Sequence, residues 1–155
     1  MNHISVYFCV KILRYIRFMY LSMHASLMPL LGKRIMLIDD DPDTLTVLRM
    51  VLESWRANAE AFARPDYALE AFAKQPQSYD VLVTDTRMPQ MNGIELADKV
   101  REIRPDQLVI FISAFEYDQE TFGASTGGKV AEDLVREPVD VQILCSTVNK
   151  KLESK

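Results

Sequence analysis

Four places in the chain carry side chains able to do chemistry, and each follows a short apolar run. Asp39 and Asp40 follow residues 34–38, Asp85 closes residues 80–85, Ser113 follows residues 107–112, and Glu137 follows residues 133–136. Taken singly, an acid or hydroxyl in such a place makes a turn or caps a helix. If the runs are parallel strands of one sheet, however, their ends lie on one side and the groups meet. At an effective dielectric of about 20, two carboxylates roughly 4 Å apart repel by about 4 kcal/mol. Such a cluster needs protons or a cation. Hard carboxylate oxygens suit Mg²⁺, which keeps waters and accepts phosphate oxygens as further ligands. The chemistry is then metal-assisted phosphoryl transfer, with one carboxylate as nucleophile and Ser113 as a hydrogen-bond donor to a phosphoryl oxygen.

The elements that would position these groups are legible in the hydrophobic pattern. The run RIMLI ends at Asp39-Asp40-Asp41-Pro42, and Pro suits a first helical turn, where its missing N–H would go unpaired anyway. Leu45, Leu48, Val51, Leu52 and Trp55 then recur at three- and four-residue steps, one buried helical face. A weaker strand follows at 59–63. Pro65-Asp66 opens a second helix with Tyr67, Leu69, Ala71 and Phe72 as its core residues, and 76–79 is a turn. The strand at 80–85 leads through Met88-Pro89 and Asn92-Gly93 to a helix over 94–104. That helix has Ile94, Leu96, Ala97, Val100 and Ile103 as its apolar positions and stops before Pro105. QLVIFI at 107–112 is the most strand-like segment. Gly123, Gly127 and Gly128 weaken the helix expected within 116–129. A short strand at 133–136 precedes Glu137-Pro138, and Asp140 caps a last helix with Val141, Ile143, Leu144, Val148 and Leu152 inward. Five strands alternating with five helices, the strands nearly all apolar, predict an α/β protein with a parallel sheet covered on both faces. No segment after the fifth helix is read as an output domain.

Composition bounds the function. The chain has 155 residues, 48% hydrophobic and 26% charged, enough for one core of ordinary size. Cys9 and Cys145 make neither a metal spacing nor a disulfide framework, and suit reduced thiols in a cytoplasmic protein. Residues 1–32 differ from the rest, with two apolar stretches and three basic residues, Lys11, Arg14 and Arg17, but no acid. Neither stretch is long enough to span a bilayer. The basic spacing admits a helix on a membrane surface. The preferred reading is an upstream-start extension without a function of its own, with Met28 as a natural start before the domain at 33–155. Of the net charge of −4, this extension carries +3, so the rest carries −7. An acidic body argues against direct nucleic-acid binding.

From Lys33 to Leu152 the chain resembles the response-regulator receiver domains of two-component signalling. The residues that carry the resemblance are LIDDDP at 37–42, DTRMPQMNG at 85–93, FISA at 111–114 and the Pro138 turn. The resemblance implies a doubly wound five-stranded sheet of flavodoxin-like order 2-1-3-4-5. It makes Asp85 the phospho-acceptor. Asp39 and Asp40 become the acid pair for Mg²⁺, Asp40 more directly and Asp39 through water, with the main-chain carbonyl of Arg87 as a further ligand. Ser113 stands at the family's hydroxyl position, and Ala114 is the small neighbour that leaves room for the phosphoryl group. The implied partners are a sensor histidine kinase or phosphotransfer protein and a downstream protein, and the chain itself is expected to be no enzyme.

One position departs from the pattern. The family has Lys-Pro after the fifth strand, and this chain has Glu137-Pro138. A carboxylate there removes a cation and adds a like charge. Arg136 should point to the opposite face. Arg87 lies at the rim, where the preferred reading leaves it solvated. Leu134 replaces the family's aromatic switch residue. The alternative function is therefore a receiver-like interaction module that works without phosphorylation. A haloacid-dehalogenase-type hydrolase is disfavoured, because Asp43 stands where its motif needs Thr.

Overall fold

The computed structural model describes residues 30–113, 134–136 and 139–153. Five strands, β1 (Arg34–Ile38), β2 (Asn58–Phe62), β3 (Val81–Asp85), β4 (Leu108–Ser113) and β5 (Leu134–Arg136), form one sheet in the order β2-β1-β3-β4-β5. Every neighbouring pair is parallel. Four helices are described: α1 (Pro42–Ser54), α2 (Pro65–Lys74), α3 (Gly93–Ile103) and α4 (Val141–Glu153). The predicted fold and strand order hold. The helix expected within 116–129 lies outside the described residues, as do Ala114 and Glu137.

Two apolar layers sandwich the sheet, as the continuous burial of its central strands demands. On one face Leu45, Leu48 and Leu52 of α1 and Leu144, Cys145 and Val148 of α4 pack on Ile35, Leu37, Val81, Val83, Ile110 and Ile112. On the other, Ala68 and Phe72 of α2 and Leu96, Ala97 and Val100 of α3 pack on Met36, Ile38, Leu82, Val109 and Phe111. Strand residues alternate between the two layers, the period-2 geometry of a strand. Burial of the Cys145 thiol pushes its pKa up to about 12, which leaves it an inert part of the core.

Helix starts follow the local sequence. Asp41 accepts the Thr44 N–H at 3.1 Å and the Thr44 hydroxyl at 2.6 Å, capping α1. Asn92 and Glu95 make a reciprocal capping box at α3. Asp140 accepts the Gln142 N–H at 2.8 Å, the predicted cap of α4.

Three residues at apolar helix positions face solvent, contrary to the inward placement expected of two of them, Tyr67 and Ile143. Tyr67 is 55% exposed, Ile103 42% and Ile143 54%. Tyr67 lies one position off the Ala68–Phe72 stripe of α2, and the Arg64 guanidinium covers its ring at 4.5 Å from the centroid. Among the described residues no helix is long and apolar enough to cross a membrane.

At the amino-terminal edge of the sheet, the Arg104 side chain fastens the end of α3 to the segment before β3. Its guanidinium donates to the Pro76 carbonyl at 3.1 Å, the Tyr79 carbonyl at 3.0 Å and the Gln107 amide oxygen at 3.0 Å. Gln107 in turn donates to the Asp80 carbonyl.

Candidate functional site

The opposite, carboxyl-terminal edge gathers acids. β1 and β3 are neighbours, with Ile38 opposite Thr84, so the residues that follow Ile38 stand beside Asp85. Asp39, Asp40 and Asp85 each place a carboxylate oxygen within 4.8 Å of the others. Their burial is graded: Asp39 is buried, Asp85 is half-buried and Asp40 is exposed. One oxygen of Asp39 accepts the Asp41 N–H at 2.8 Å, which fixes the turn that presents the pair. Asp41, third in the row of acids, is consumed by the α1 cap, and its bond from the Thr44 hydroxyl holds its carboxyl below the usual range. Three consecutive Asp residues thus divide into two that line the site and one that starts a helix.

Asp85 is held through its main chain. Its carbonyl accepts the Thr84 hydroxyl at 3.0 Å. The Thr86 N–H donates to the Ile112 carbonyl at 3.0 Å, extending the β3–β4 ladder one residue past the acid. Gly93 lies against the same carbonyl. A Cβ there would overlap the Asp85 oxygen and approach the Thr84 hydroxyl to 3.1 Å. Close backbone approach, rather than an unusual φ, is the reason for glycine at this position. Between them the loop folds tightly: Gln90 has a φ of 72°, and the Met91 N–H donates to the Pro89 carbonyl. Met88 is buried against the α2–α3 layer and pins the loop down. Sequence reading recognised Asn92-Gly93 as turn chemistry but missed the Gly93 contact and the Met88 anchor, since both depend on where the loop lands. Thr86 contributes a buried hydroxyl without a hydrogen-bond partner.

Electrostatics single out Asp85. Burial raises its carboxyl pKa, the nearby main-chain N–H groups of Arg87 and Thr86 lower it, Asp40 raises it further, and the Arg87 charge lowers it again. The net shift is upward. Two causes of that rise, poor hydration and a neighbouring anion, are what a cation relieves. A hard divalent cation fits the cluster. All three donors are carboxylate oxygens, and opposed ligands of an octahedral Mg²⁺ lie about 4 Å apart, close to the 4.8 Å span.

Of the other predicted site residues, Ser113 ends β4, buried, one step past the Ile112 that faces Asp85 across the ladder. Arg87 is exposed at the rim, two residues past the acceptor, and its charge lowers the Asp85 carboxyl pKa. Arg136 is exposed at the end of β5, opposite Ser113.

Comparison with known proteins agrees with this geometry. Residues 35–149 match the family model of the response regulator receiver domain. The response regulator receiver protein CpdR of Brucella abortus is 39% identical over 83 residues, 54% of this chain and 68% of that protein. The two-component response regulator ARR2 of Arabidopsis thaliana is 29% identical over 111 residues, 72% of this chain but 16% of ARR2. A response regulator receiver domain protein from Clostridium thermocellum has the same fold, with a TM-score of 0.71 at 24% identity over 79% of this chain and 95% of that one. A two-component transcriptional regulator from Clostridium phytofermentans superposes with a TM-score of 0.68 at 28% identity, again over 79% and 95% of the two chains. An acid cluster at the carboxyl edge of a 2-1-3-4-5 sheet and a family match across most of the chain converge, and the protein belongs to the response regulator receiver domains of two-component signalling.

Proposed function

We propose that this chain accepts a phosphoryl group on Asp85 from the phosphohistidine of a sensor kinase or phosphotransfer protein and relays that state to a downstream protein by contact. The observation that supports this reading most directly is the convergence of Asp39, Asp40 and Asp85 within 4.8 Å, with Asp85 alone half-buried at a strand end. In the transfer, an Asp85 carboxylate oxygen bonds to phosphorus as the phosphorus–nitrogen bond breaks, and the electron pair returns to the imidazole. Mg²⁺, held by Asp39, Asp40, Asp85 and the Arg87 carbonyl, would neutralise charge on the transferred group. Thr84 and Gly93 fix the Asp85 main chain, so the carboxylate is aimed before the donor arrives. Ser113, buried at the end of β4, supplies a hydroxyl for the phosphoryl group. The chain is an acceptor in this scheme, with no turnover of its own.

Glu137 in the place of a lysine supports a second reading, a receiver-like module that binds its partner unphosphorylated. One experiment separates the two. The full chain is incubated with Mg²⁺ and acetyl phosphate, and its intact mass is measured beside Asp85→Asn. The acceptor reading expects a labile gain of one phosphoryl group that Asp85→Asn abolishes. No gain in the native chain, with a gain restored by Glu137→Lys, establishes the second reading instead.

A further inference from the structure

Thr86 follows the acceptor in the chain and is 2% exposed. Among the described residues, its buried hydroxyl has no hydrogen-bond partner. An unpaired buried hydroxyl destabilises a fold, and native structures hold few of them. The main chain keeps Thr86 where it is. Its N–H donates to the Ile112 carbonyl of β4, and its carbonyl accepts the Gly93 N–H at the start of α3.

The sheet sets this hydroxyl beside another. Thr84 stands opposite Phe111 and Asp85 opposite Ile112. The Thr86 N–H carries that ladder one residue further, so Thr86 comes level with Ser113, which is 1% exposed. Neighbouring strands lie about 4.8 Å apart, and successive side chains take opposite faces. Thr86 is thus turned from the Asp85 carboxylate, and its hydroxyl is within a side-chain rotation of the Ser113 hydroxyl. Ser113 is itself engaged in an interaction in this state.

We propose that Thr86 is a positioning residue of this site, whose hydroxyl donates to the Ser113 oxygen once Ser113 donates its own hydrogen to a phosphoryl oxygen on Asp85. This inference rests on the phosphoryl-acceptor reading and adds a residue to it. A hydroxyl has one hydrogen and two lone pairs. When the Ser113 hydrogen goes to the phosphoryl group, its lone pairs stay buried, and the orphaned Thr86 hydrogen satisfies one of them. The row from Thr86 through Ser113 to the phosphoryl oxygen polarises along its length, so each bond strengthens the next. The unmodified chain carries an unpaired group that the phosphorylated chain pairs. Removing the hydroxyl therefore stabilises the first state and weakens the second, which general damage to the fold does not do.

The test uses the full chain, the variants Thr86→Val and Thr86→Ser, and beryllium fluoride as the probe. With Mg²⁺ present, an Asp85 carboxylate oxygen takes the fourth position on beryllium and displaces water, and the three fluorides stand where phosphoryl oxygens would. Thr86→Val keeps the branched shape and removes the hydroxyl. Without Mg²⁺ or probe it should melt about 2–4 °C above the native chain, because an unpaired hydroxyl is gone. At saturating Mg²⁺ it should bind beryllium fluoride about three- to tenfold more weakly, the loss of one hydrogen bond. Thr86→Ser keeps the hydroxyl and should stay within about twofold of the native affinity. A Thr86→Val chain that melts below the native one has lost a bond already made at rest, which overturns the inference. Thr86→Ser binding as weakly as Thr86→Val overturns it too. Native binding of the probe that Thr86→Val matches overturns this inference alone. A native chain that takes neither beryllium fluoride nor, with acetyl phosphate, a phosphoryl group overturns the acceptor reading and this one with it.

Discussion

Asp85 carries the tension of the site at the scale of one residue. Its pKa is raised, chiefly by burial and secondarily by Asp40, so ionising it costs the folded state. A carboxyl whose folded pKa lies above its unfolded value binds more protons folded than unfolded. The cost begins as pH rises past the ordinary value of 3.8 and is complete once pH exceeds the raised value. Asp85→Asn bears none of it. In thermal melts with EDTA between acid and neutral pH, Asp85→Asn should match the native chain at the acid end. It should become the more stable as pH rises, and the advantage should then level off. Solvent screening holds the gain to about 1 kcal/mol, or about 2–4 °C in Tm for a domain of this size. Added Mg²⁺ should close the gap. An advantage that grows on acidification would contradict the account.

At the scale of elements, the turn from β1 into α1 does two jobs with three adjacent acids. Asp39 and Asp40 face the cluster, while Asp41 turns back to cap the helix. Losing the cap removes partners from the first-turn N–H groups and frees the turn that presents the acid pair. Asp41→Ala should cost about 1 kcal/mol in urea denaturation, and Asp41→Asn should retain most of that. Asp41→Ala should also weaken Mg²⁺ binding, although Asp41 is not among the clustered acids, because the turn whose main-chain N–H at 41 holds Asp39 loses its side-chain anchor to α1. Unchanged Mg²⁺ affinity in Asp41→Ala would show the cap and the site to be independent. Helix faces follow the same logic of position. Ile143 belongs by type to the core, yet Leu144, Cys145 and Val148 define the inward stripe of α4, and Ile143 falls beside it.

The whole molecule separates stability from chemistry by placing them at opposite ends of the strands. The carboxyl edge holds mutually repelling acids. The amino edge holds a satisfied polar clamp, in which one Arg104 nitrogen meets three oxygens from two other segments. Arg104→Ala leaves those oxygens without a charged donor and should cost about 2–3 kcal/mol. Mg²⁺ affinity measured well below the melting temperature should stay at the native value, since the substitution lies a full strand length from the acids. A parallel loss of metal binding would mean that the two edges are coupled through the sheet.

Much of this protein is decided by its sequence alone. Apolar runs of strand length, each closed by an acid or hydroxyl, specify a parallel sheet and the edge where its chemistry lies, because the end of a parallel strand has only one side to face. The caps Asp41 and Asp140 and the helix stripes are local and equally legible. Long-range placement is not. Which of three consecutive acids turns inward, why residue 93 must be glycine, and how Met88 anchors the loop depend on segments distant in the chain meeting in space. Hydrophobic period reports which face of an element is buried. Only the packed sheet determines how near its charges come to one another, and that nearness makes a row of ordinary carboxylates a site.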